Sequence, residues 1–429
     1  MQNTITESIK NPSVIKCWLV VITASLLFFY SFLLLNMLNT IDSELMSFFS
    51  ISAHQLGVLS SMFFCGNFIF LFPAGLILDR LSTRRIILIA MALCVVSMFA
   101  FPLTNNLVYA GISRFVSGIG SAFAFLSCIR LASRWFPPKK MALVSGCIVT
   151  MAMLGGMVAQ TPFELLVEWC GWQYAMMICG GLGILFMLLM GFLLEDWPQG
   201  DSAAKDAQVD ISNIGFWQSI RMVILNKNNW LGGVYTSLMN LPVFVLGALW
   251  GSIFLIQVDH LTRTEASTVI MMIFLGTMIG SPLIGWISDR LERRILPMIV
   301  GAIISVCIML AIIYVIHLSF IVLLVLFFLL GLITSTQVLS YPAVAELNST
   351  LVTSSAISIV SLLIMAGGFV FQPLFGSLMD LNWNHLMVNK IAVYSLTDFQ
   401  LAMWIMPVGF LVALIAAIFI RETYCRRQA

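Results

Sequence analysis

The sequence predicts an all-α integral membrane protein of twelve transmembrane helices, arranged as two six-helix pseudo-symmetric bundles with both termini cytoplasmic. Three observations predict it. The 429 residues are 60% hydrophobic and only 9% charged, against about 25% charged in a soluble domain, so hydrocarbon must be the solvent for most of the surface. Apolar windows long enough to cross about 30 Å of bilayer, charge-free apart from Arg114, recur along the whole chain. One short charged loop occurs twice, 210 positions apart.

The windows run 17–41, 55–78, 86–129, 141–163, 169–194, 228–258, 266–288, 295–345, 347–379 and 399–420. The stretch 86–129 is broken by the turn-like run from Pro102 to Asn106, and 295–345 by His317, Leu318 and Ser319, so each supplies two helices. The first window lacks a small-residue cleavage site and reads as a retained span rather than a signal peptide. Of the 21 Lys and Arg residues, all but Arg114, Arg263 and Lys390 fall on one side of the membrane when the spans are followed from a cytoplasmic N-terminus. An excess of cations marks that side as cytoplasmic, and the inner membrane is the expected location. The polar run around 196–226 divides the chain into an N-terminal bundle at 1–200, a cytoplasmic linker at 201–220 and a C-terminal bundle at 221–429.

A net charge of +2 with no basic stripe excludes a nucleic-acid partner. The nine cysteines lie scattered in apolar runs with no CxxC pair, so they read as packing residues and no metal is expected. No span groups His, Asp, Glu or Cys at the spacing of a catalytic or ligand cluster, so neither catalytic residues nor a cofactor is expected. The remaining partners are a small molecule, protons and membrane lipid around a monomer.

The duplicated loop is GLILDRLSTRR at 75–85 and GWISDRLERR at 285–294. A duplication of this kind places a site between the halves, near the bilayer midplane. With twelve spans and a mid-chain polar loop, the pattern resembles the major facilitator superfamily from about residue 17 to 421. Gly75, Asp79, Arg80, Arg84 and Arg85 match that family's loop in the first copy, and Gly285, Asp289, Arg290 and Arg294 match it in the second. Ser82 and Glu292 stand where the family usually has Gly. The resemblance implies a pair of cytoplasmic gating loops, in which the glycines allow close helix approach and the charges latch one conformation and release another. Arg114-Phe-Val-Ser-Gly118-Ile-Gly120-Ser-Ala122 resembles the family's Arg-x-x-x-Gly-x-Gly-x-Ala segment. An intramembrane Arg is costly, and the resemblance implies a part for Arg114 in proton coupling or in holding an anion. A structural Arg bonded to neighbouring carbonyls is the alternative.

In this architecture the first, fourth, seventh and tenth helices face the pathway. Their candidate substrate-binding residues are Tyr30 and Asn36, Arg114, Ser117 and Ser121, Tyr235, Asn240 and Trp250, and Gln337, Ser340 and Tyr341, with Gln372 reaching in from the eleventh. Amides and phenols around one Arg suit a small zwitterion or monocarboxylate. The resemblance implies that organophosphate exchangers of the family clamp phosphate with an Arg in both the first and seventh helices; residues 17–41 and 228–258 hold no cation, which disfavours a phosphorylated or dianionic substrate. Gly155 and Gly156 lack the Gly-Pro pair of the family's drug antiporters. The segment from Glu346 to Asp380 is similar to a metabolite permease branch that includes phagosomal nutrient transporters. Asp42, Glu44 and Glu346 join Arg114 as proton-coupling candidates, with Glu164 another carboxylate at a span end; each also reads as a solvated helix-end charge. The expectation is a secondary active transporter working by alternating access, proton-coupled, importing a small polar metabolite with an amino acid as first choice. The alternatives are an exporter of a metabolite, siderophore or drug, a siderophore importer, and a transporter-shaped sensor.

Overall fold

In hydrocarbon every backbone N–H and C=O must be satisfied inside the protein, which commits a long apolar window to helix. The computed structural model of the protein describes residues 14–136, 140–197, 223–315, 318–348, 353–384, 386–388 and 391–426. The linker at 201–220, His317, Lys390 and the side chains of Asp79 and Arg80 lie outside the described residues. Among the described residues twelve helices are long and apolar enough to cross a membrane. They are Val14–Asn39, Ala53–Gly75, Thr83–Ala100, Leu107–Trp135, Leu143–Cys170, Trp172–Leu193, Lys227–Gln257, Arg263–Leu291, Ile295–Tyr314, Phe320–Glu346, Ala356–Leu381 and Leu396–Phe419, numbered below as spans one to twelve.

The duplication seen in the loops extends to the packing. Span one packs on five, two on four, three on four, and three on six; six spans later, seven packs on eleven, eight on ten, nine on ten, and nine on twelve. The crossing of two with four is held close by a reciprocal glycine pair. A Cβ on Gly66 would strike the backbone oxygen of Phe115, and one on Gly118 that of Phe63. The crossing of eight with ten repeats it, with Gly276 against Phe328 and Gly331 against Ile273. Small residues that let backbones touch are how helices associate where lipid removes the hydrophobic drive.

The two halves meet through spans two and eleven and through five and eight. Hydrogen bonds between the halves gather at the end away from the duplicated loops, hereafter the far end, and the opposite end is the loop end. A short helix, Asp42–Phe49, and a two-stranded hairpin, Met387–Val388 with Ile391–Ala392, lie at the far end. Gly75 and Gly285 correct an expectation. A Cβ on either would meet nothing within 4 Å, so neither mediates close approach in this conformation, where the contacts between halves are made at the other end.

Several spans are interrupted. Span one passes from α-helix at Asn36 into a 3-10 turn, Met37–Asn39. Span seven runs as α-helix to Met239, as π-helix over Pro242–Trp250 and as α-helix again over Gly251–Gln257; Pro242 has no N–H with which to continue the α pattern. Span four breaks at Phe123 and span ten passes through a 3-10 stretch, Ser335–Leu339. Spans five and twelve also break, at residues 159–160 and at Trp404. Each break frees backbone groups that need donors or acceptors from elsewhere.

Two predictions follow from the glycines. Gly118→Leu or Gly331→Leu drives a side chain into backbone and should lower stability by about 1–3 kcal/mol or more, read as a lower melting temperature in detergent, whereas Gly146→Ala, with nothing within 4 Å, should leave it unchanged. Gly75→Ala and Gly285→Ala should melt like wild type yet slow turnover, if these positions close up only in the opposite conformation; a wild-type transport rate in both variants would remove that role.

Candidate functional site

The break in span one sets the centre of the site. The last carbonyls of its α-helix point along the axis without intrahelical donors, and Arg114 of span four supplies them. Its Nη1 donates to Leu34 O at 2.5 Å and its Nη2 to Leu35 O at 3.5 Å. A cation at a helix C-terminus is favoured by the helix dipole as well. The guanidinium lies 5.1 Å from the Phe63 ring centroid, and the side chain is buried. Its Nε has no partner, and no acidic side chain counters it among the described residues.

Span seven's π segment is served in the same way from the other half and from span eleven. Gln372 Nε2 donates to Phe244 O at 2.7 Å, and Gln160 Nε2 of span five donates to Gly247 O at 3.0 Å. Trp250 stacks on Phe375 at 5.6 Å and donates from Nε1 to Gln372 O. Asn39 then joins both halves: its Nδ2 donates to Gln160 Oε1 and to Ser252 Oγ, each at 2.8 Å, while its Oδ1 accepts the Ser252 N–H at 3.0 Å. Asn39, Gln160 and Ser252 were missed by sequence reasoning. Uncharged amides near helix breaks carry no signal until the breaks are located.

The expected binding residues divide into two groups. Arg114, Asn36, Trp250, Gln337 and Gln372 are buried on or beside the interrupted spans, and Asn36 Oδ1, Gln337 Oε1 and Gln372 Oε1 have no partner. Hydrogen-bonding capacity is therefore left over for a small polar molecule. Tyr30 and Tyr235 correct the expectation, because both point into their own bundles. Tyr30 donates to Cys179 O of span six at 3.1 Å, and Tyr235 donates to Met298 O of span nine and accepts from the Thr336 hydroxyl of span ten, each at 2.9 Å. Their phenols satisfy buried carbonyls instead of facing a pathway. Ser117 likewise donates to Arg114 O in its own helix at 2.6 Å, and Ser121 accepts from Asn67 of span two. Asn240 donates to Thr236 O of its own helix, Ser340 to Gln337 O, and Tyr341 approaches Ser361 of span eleven.

At the far end, His54 Nδ1 lies 2.7 Å from Ser377 Oγ, and Asp380 accepts the His54 N–H at 2.9 Å and the Tyr394 hydroxyl at 2.9 Å. Arg263 pairs with Glu44 across the halves. Asp42 and Glu164 depart from the solvated reading: they are 2% and 1% exposed. Burial pushes the Asp42 carboxyl up to about 7, opposed by bonds from Ser43 and the charge of Arg263.

At the loop end the duplicated clusters bind within their own halves. Arg294 donates to Asp289 Oδ1 at 2.6 Å and to Glu346 Oε1 at 2.9 Å, and Thr423 donates to Glu346 Oε2 at 2.5 Å. Glu346 is therefore occupied by an ion pair at the loop end, far from the other coupling candidates. Glu422 accepts the N–H groups of Arg294 and Ile295, and Asp196 those of Ser82's hydroxyl and of the Arg84 backbone. An acid following the last span of each half thus caps the helix that begins after the loop. Arg85 donates its backbone N–H to Ser82, and Arg290 lies over Trp286.

The D-galactonate transporter of Escherichia coli O6:H1 is 26% identical over 61% of this chain and 66% of its own length. A probable hexose phosphate transport protein of Chlamydia pneumoniae is 21% identical over 56% and 57%, and the membrane sensor protein UhpC of Salmonella typhimurium 24% over 59% and 60%. The chain matches less than two-thirds of the length of each of these curated relatives. Among solved structures, a bacterial homolog of the human lysosomal transporter Spinster, in an inward-facing and unoccupied conformation, superposes with a TM-score of 0.76 over 95% of this chain and 98% of that one, at 16% identity, which is a likeness of fold. The model of the Major Facilitator Superfamily matches residues 20–258 and again 238–427, and the chain belongs to that superfamily.

Proposed function

We propose that this chain is a secondary active transporter that carries a small polar monocarboxylate across the inner membrane by alternating access, in proton-coupled import. One observation carries the substrate class: Arg114 is a buried cation held by the carbonyls of Leu34 and Leu35 and by no acid among the described residues. A buried charge without a counter-charge is costly, and a substrate carboxylate supplies the counter-charge. The unpartnered amide oxygens of Asn36, Gln337 and Gln372 suit hydroxyl or ammonium donors on the rest of the molecule. The name of the galactonate relative moves the first choice from an amino acid to a sugar acid, with amino acids retained in the same carboxylate class.

With the loop end cytoplasmic, the far end is the outer gate, sealed by Asn39, Gln160 and Ser252, by the His54–Ser377 contact and by the Arg263–Glu44 pair. One proton moving inward with its cargo across 100 mV provides about 2.3 kcal/mol, or about fiftyfold accumulation. The sensor reading draws on the name of the Salmonella relative alone.

Purified protein in liposomes with an imposed inward pH gradient should accumulate a labelled sugar acid or amino acid. Arg114→Ala should abolish uptake, and Arg114→Lys should keep part of it, since the charge remains but the forked donors do not. Uptake of a sugar phosphate in preference to monocarboxylates would overturn the substrate class. Efflux of preloaded compound with no uptake would reverse the direction, and ligand binding with neither uptake nor exchange would leave a sensor. Asn39→Ala, which removes three bonds of the outer seal, should raise the exposure of far-end positions to an impermeant thiol reagent without lowering binding at Arg114.

A further inference from the structure

The far gate buries more carboxylate than it neutralises. Asp42 opens the short helix after span one, and Glu164 lies in the first turn of the helix that resumes span five after its break. Both belong to the N-terminal half and both are almost wholly buried. Asp42 Oδ1 accepts the backbone N–H and the hydroxyl of Ser43, at 2.5 and 2.9 Å. Its Oδ2 has no hydrogen-bond partner, and neither has Glu164 Oε1. Glu164 is within electrostatic reach of Asp42 and of Glu168.

The C-terminal half forms the lid over this pair. Arg263 and Ile253 face Asp42, and Thr268 meets Thr161, one turn from Glu164. The charged neighbours are few. Arg263 is paired with Glu44, which stands on the same short helix as Asp42. Glu168 accepts the Thr264 hydroxyl, and Glu265 turns back to cap Thr262. His54, at the start of span two, is bonded to Ser377. Residues 251–257 and 391–392, packed on the short helix, carry no titratable side chain, and the span-six helix packed on residues 161–170 carries Tyr174, which is exposed, and the thiol of Cys179. Among the described residues one cation, Arg263, thus stands near Asp42, Glu44, Glu164 and Glu168 in a closed gate. Two buried carboxylates within electrostatic reach of each other disfavour double ionisation, and a protonated carboxyl gains an O–H donor.

We propose that Asp42 and Glu164 form one proton-holding pair in the outer gate: closure of the C-terminal half over them captures a proton, and opening returns both carboxylates to water and releases it. The proposal rests on the transport reading for its consequence, that this proton crosses with cargo, but the gate itself can be tested without cargo. The sign is fixed by which state binds the proton. The closed gate holds it more tightly, so acid favours closure. Opening gains ground as pH rises from the ordinary carboxylate range of about 4 towards neutrality, by up to about tenfold per unit for one proton.

The test uses the full chain in liposomes, with Thr268→Cys as a probe at the lid and Asn105→Cys as an exposed reference, labelled by an impermeant maleimide from about pH 4 to about pH 8. The ratio of the two rates cancels the thiol's own titration. The ratio should rise with pH in the otherwise wild-type chain. Asp42→Asn or Glu164→Gln alone should shift or flatten the rise, and the double variant should stay closed at every pH. Infrared spectra at neutral pH should show a carboxylic-acid carbonyl band that is lost in the double variant, a readout independent of labelling. A double variant that labels with the wild-type pH profile, or that keeps the band, overturns the pair. Gradient-driven uptake persisting in the double variant also overturns it and leaves proton-coupled transport standing. A titrating gate in a protein that accumulates nothing under a pH gradient upholds the pair and removes the transport reading instead.

Discussion

Everything at the centre of this protein follows from backbone carbonyls released by broken helices in a place without water. An unpaired carbonyl in hydrocarbon costs several kcal/mol, so carbonyls freed at a break call for side-chain donors. Arg114 meets the break in span one, and Gln372 and Gln160 reach the π segment of span seven. The donors that repair one half of the chain come in part from the other: Gln160 lies in span five and Gly247 in span seven. Repair of the helices and sealing of the gate are therefore the same set of bonds. A rigid, unbroken span would pack well and would leave nothing to rearrange.

The duplication explains why the molecule can rearrange without coming apart. Within each half the helices cross on reciprocal glycines, with backbone against backbone, and the loop-end acids Asp196 and Glu422 cap helices of their own half. Between the halves the contacts are mixed. Hydroxyls, amides, one ion pair and the aromatic contact of Phe64 with Phe244 stand beside a glycine crossing of spans two and eleven, where a Cβ on Gly57 would strike the backbone oxygen of Gln372 and one on Gly376 that of Ala53. Breaking the polar contacts exposes groups that water can satisfy, and the glycine crossing at the far end must part with them. Two stiff bodies whose shared contacts are in part polar suit rocking about a central site.

How much of this was legible in the sequence depended on how far each feature relies on composition. Spans were legible because charge is excluded from hydrocarbon, and the halves because GLILDR and GWISDR repeat. Arg114 stood out as a lone charge in an apolar run, and its carbonyl-bonded state matches the structural alternative weighed for it. Tyr30 and Tyr235 were misplaced because a helix number does not say which face a residue takes; their partners, Cys179 and Met298, lie behind the pathway. Asp42 and Glu164 looked solvated because they sit at span ends, and their burial comes from Ile253, Arg263 and Thr268, some hundred residues or more away in the sequence. The break in span one was invisible, since Met37 and Leu38 are as apolar as the helix before them, whereas the π segment Pro242–Trp250 opens on a proline whose signal an apolar window does not register.

On the proposed reading, a substrate at Arg114 and a proton at the outer gate would not act independently. Leu34 and Leu35, which hold Arg114, are followed within eight residues by Asn39, which ties the halves together, and by Asp42. A carboxylate that drew the guanidinium away would leave the two carbonyls unpaired, and the end of span one would have to re-form its turn to recover them. That turn carries Asn39 and aims Asp42. Conversely, an ionised Asp42 favours water over the lid, and moving it outward pulls on the same eight residues. No longer route of communication is needed for that coupling, because Leu34, Leu35, Asn39 and Asp42 follow one another along the chain from the end of span one into the short helix after it.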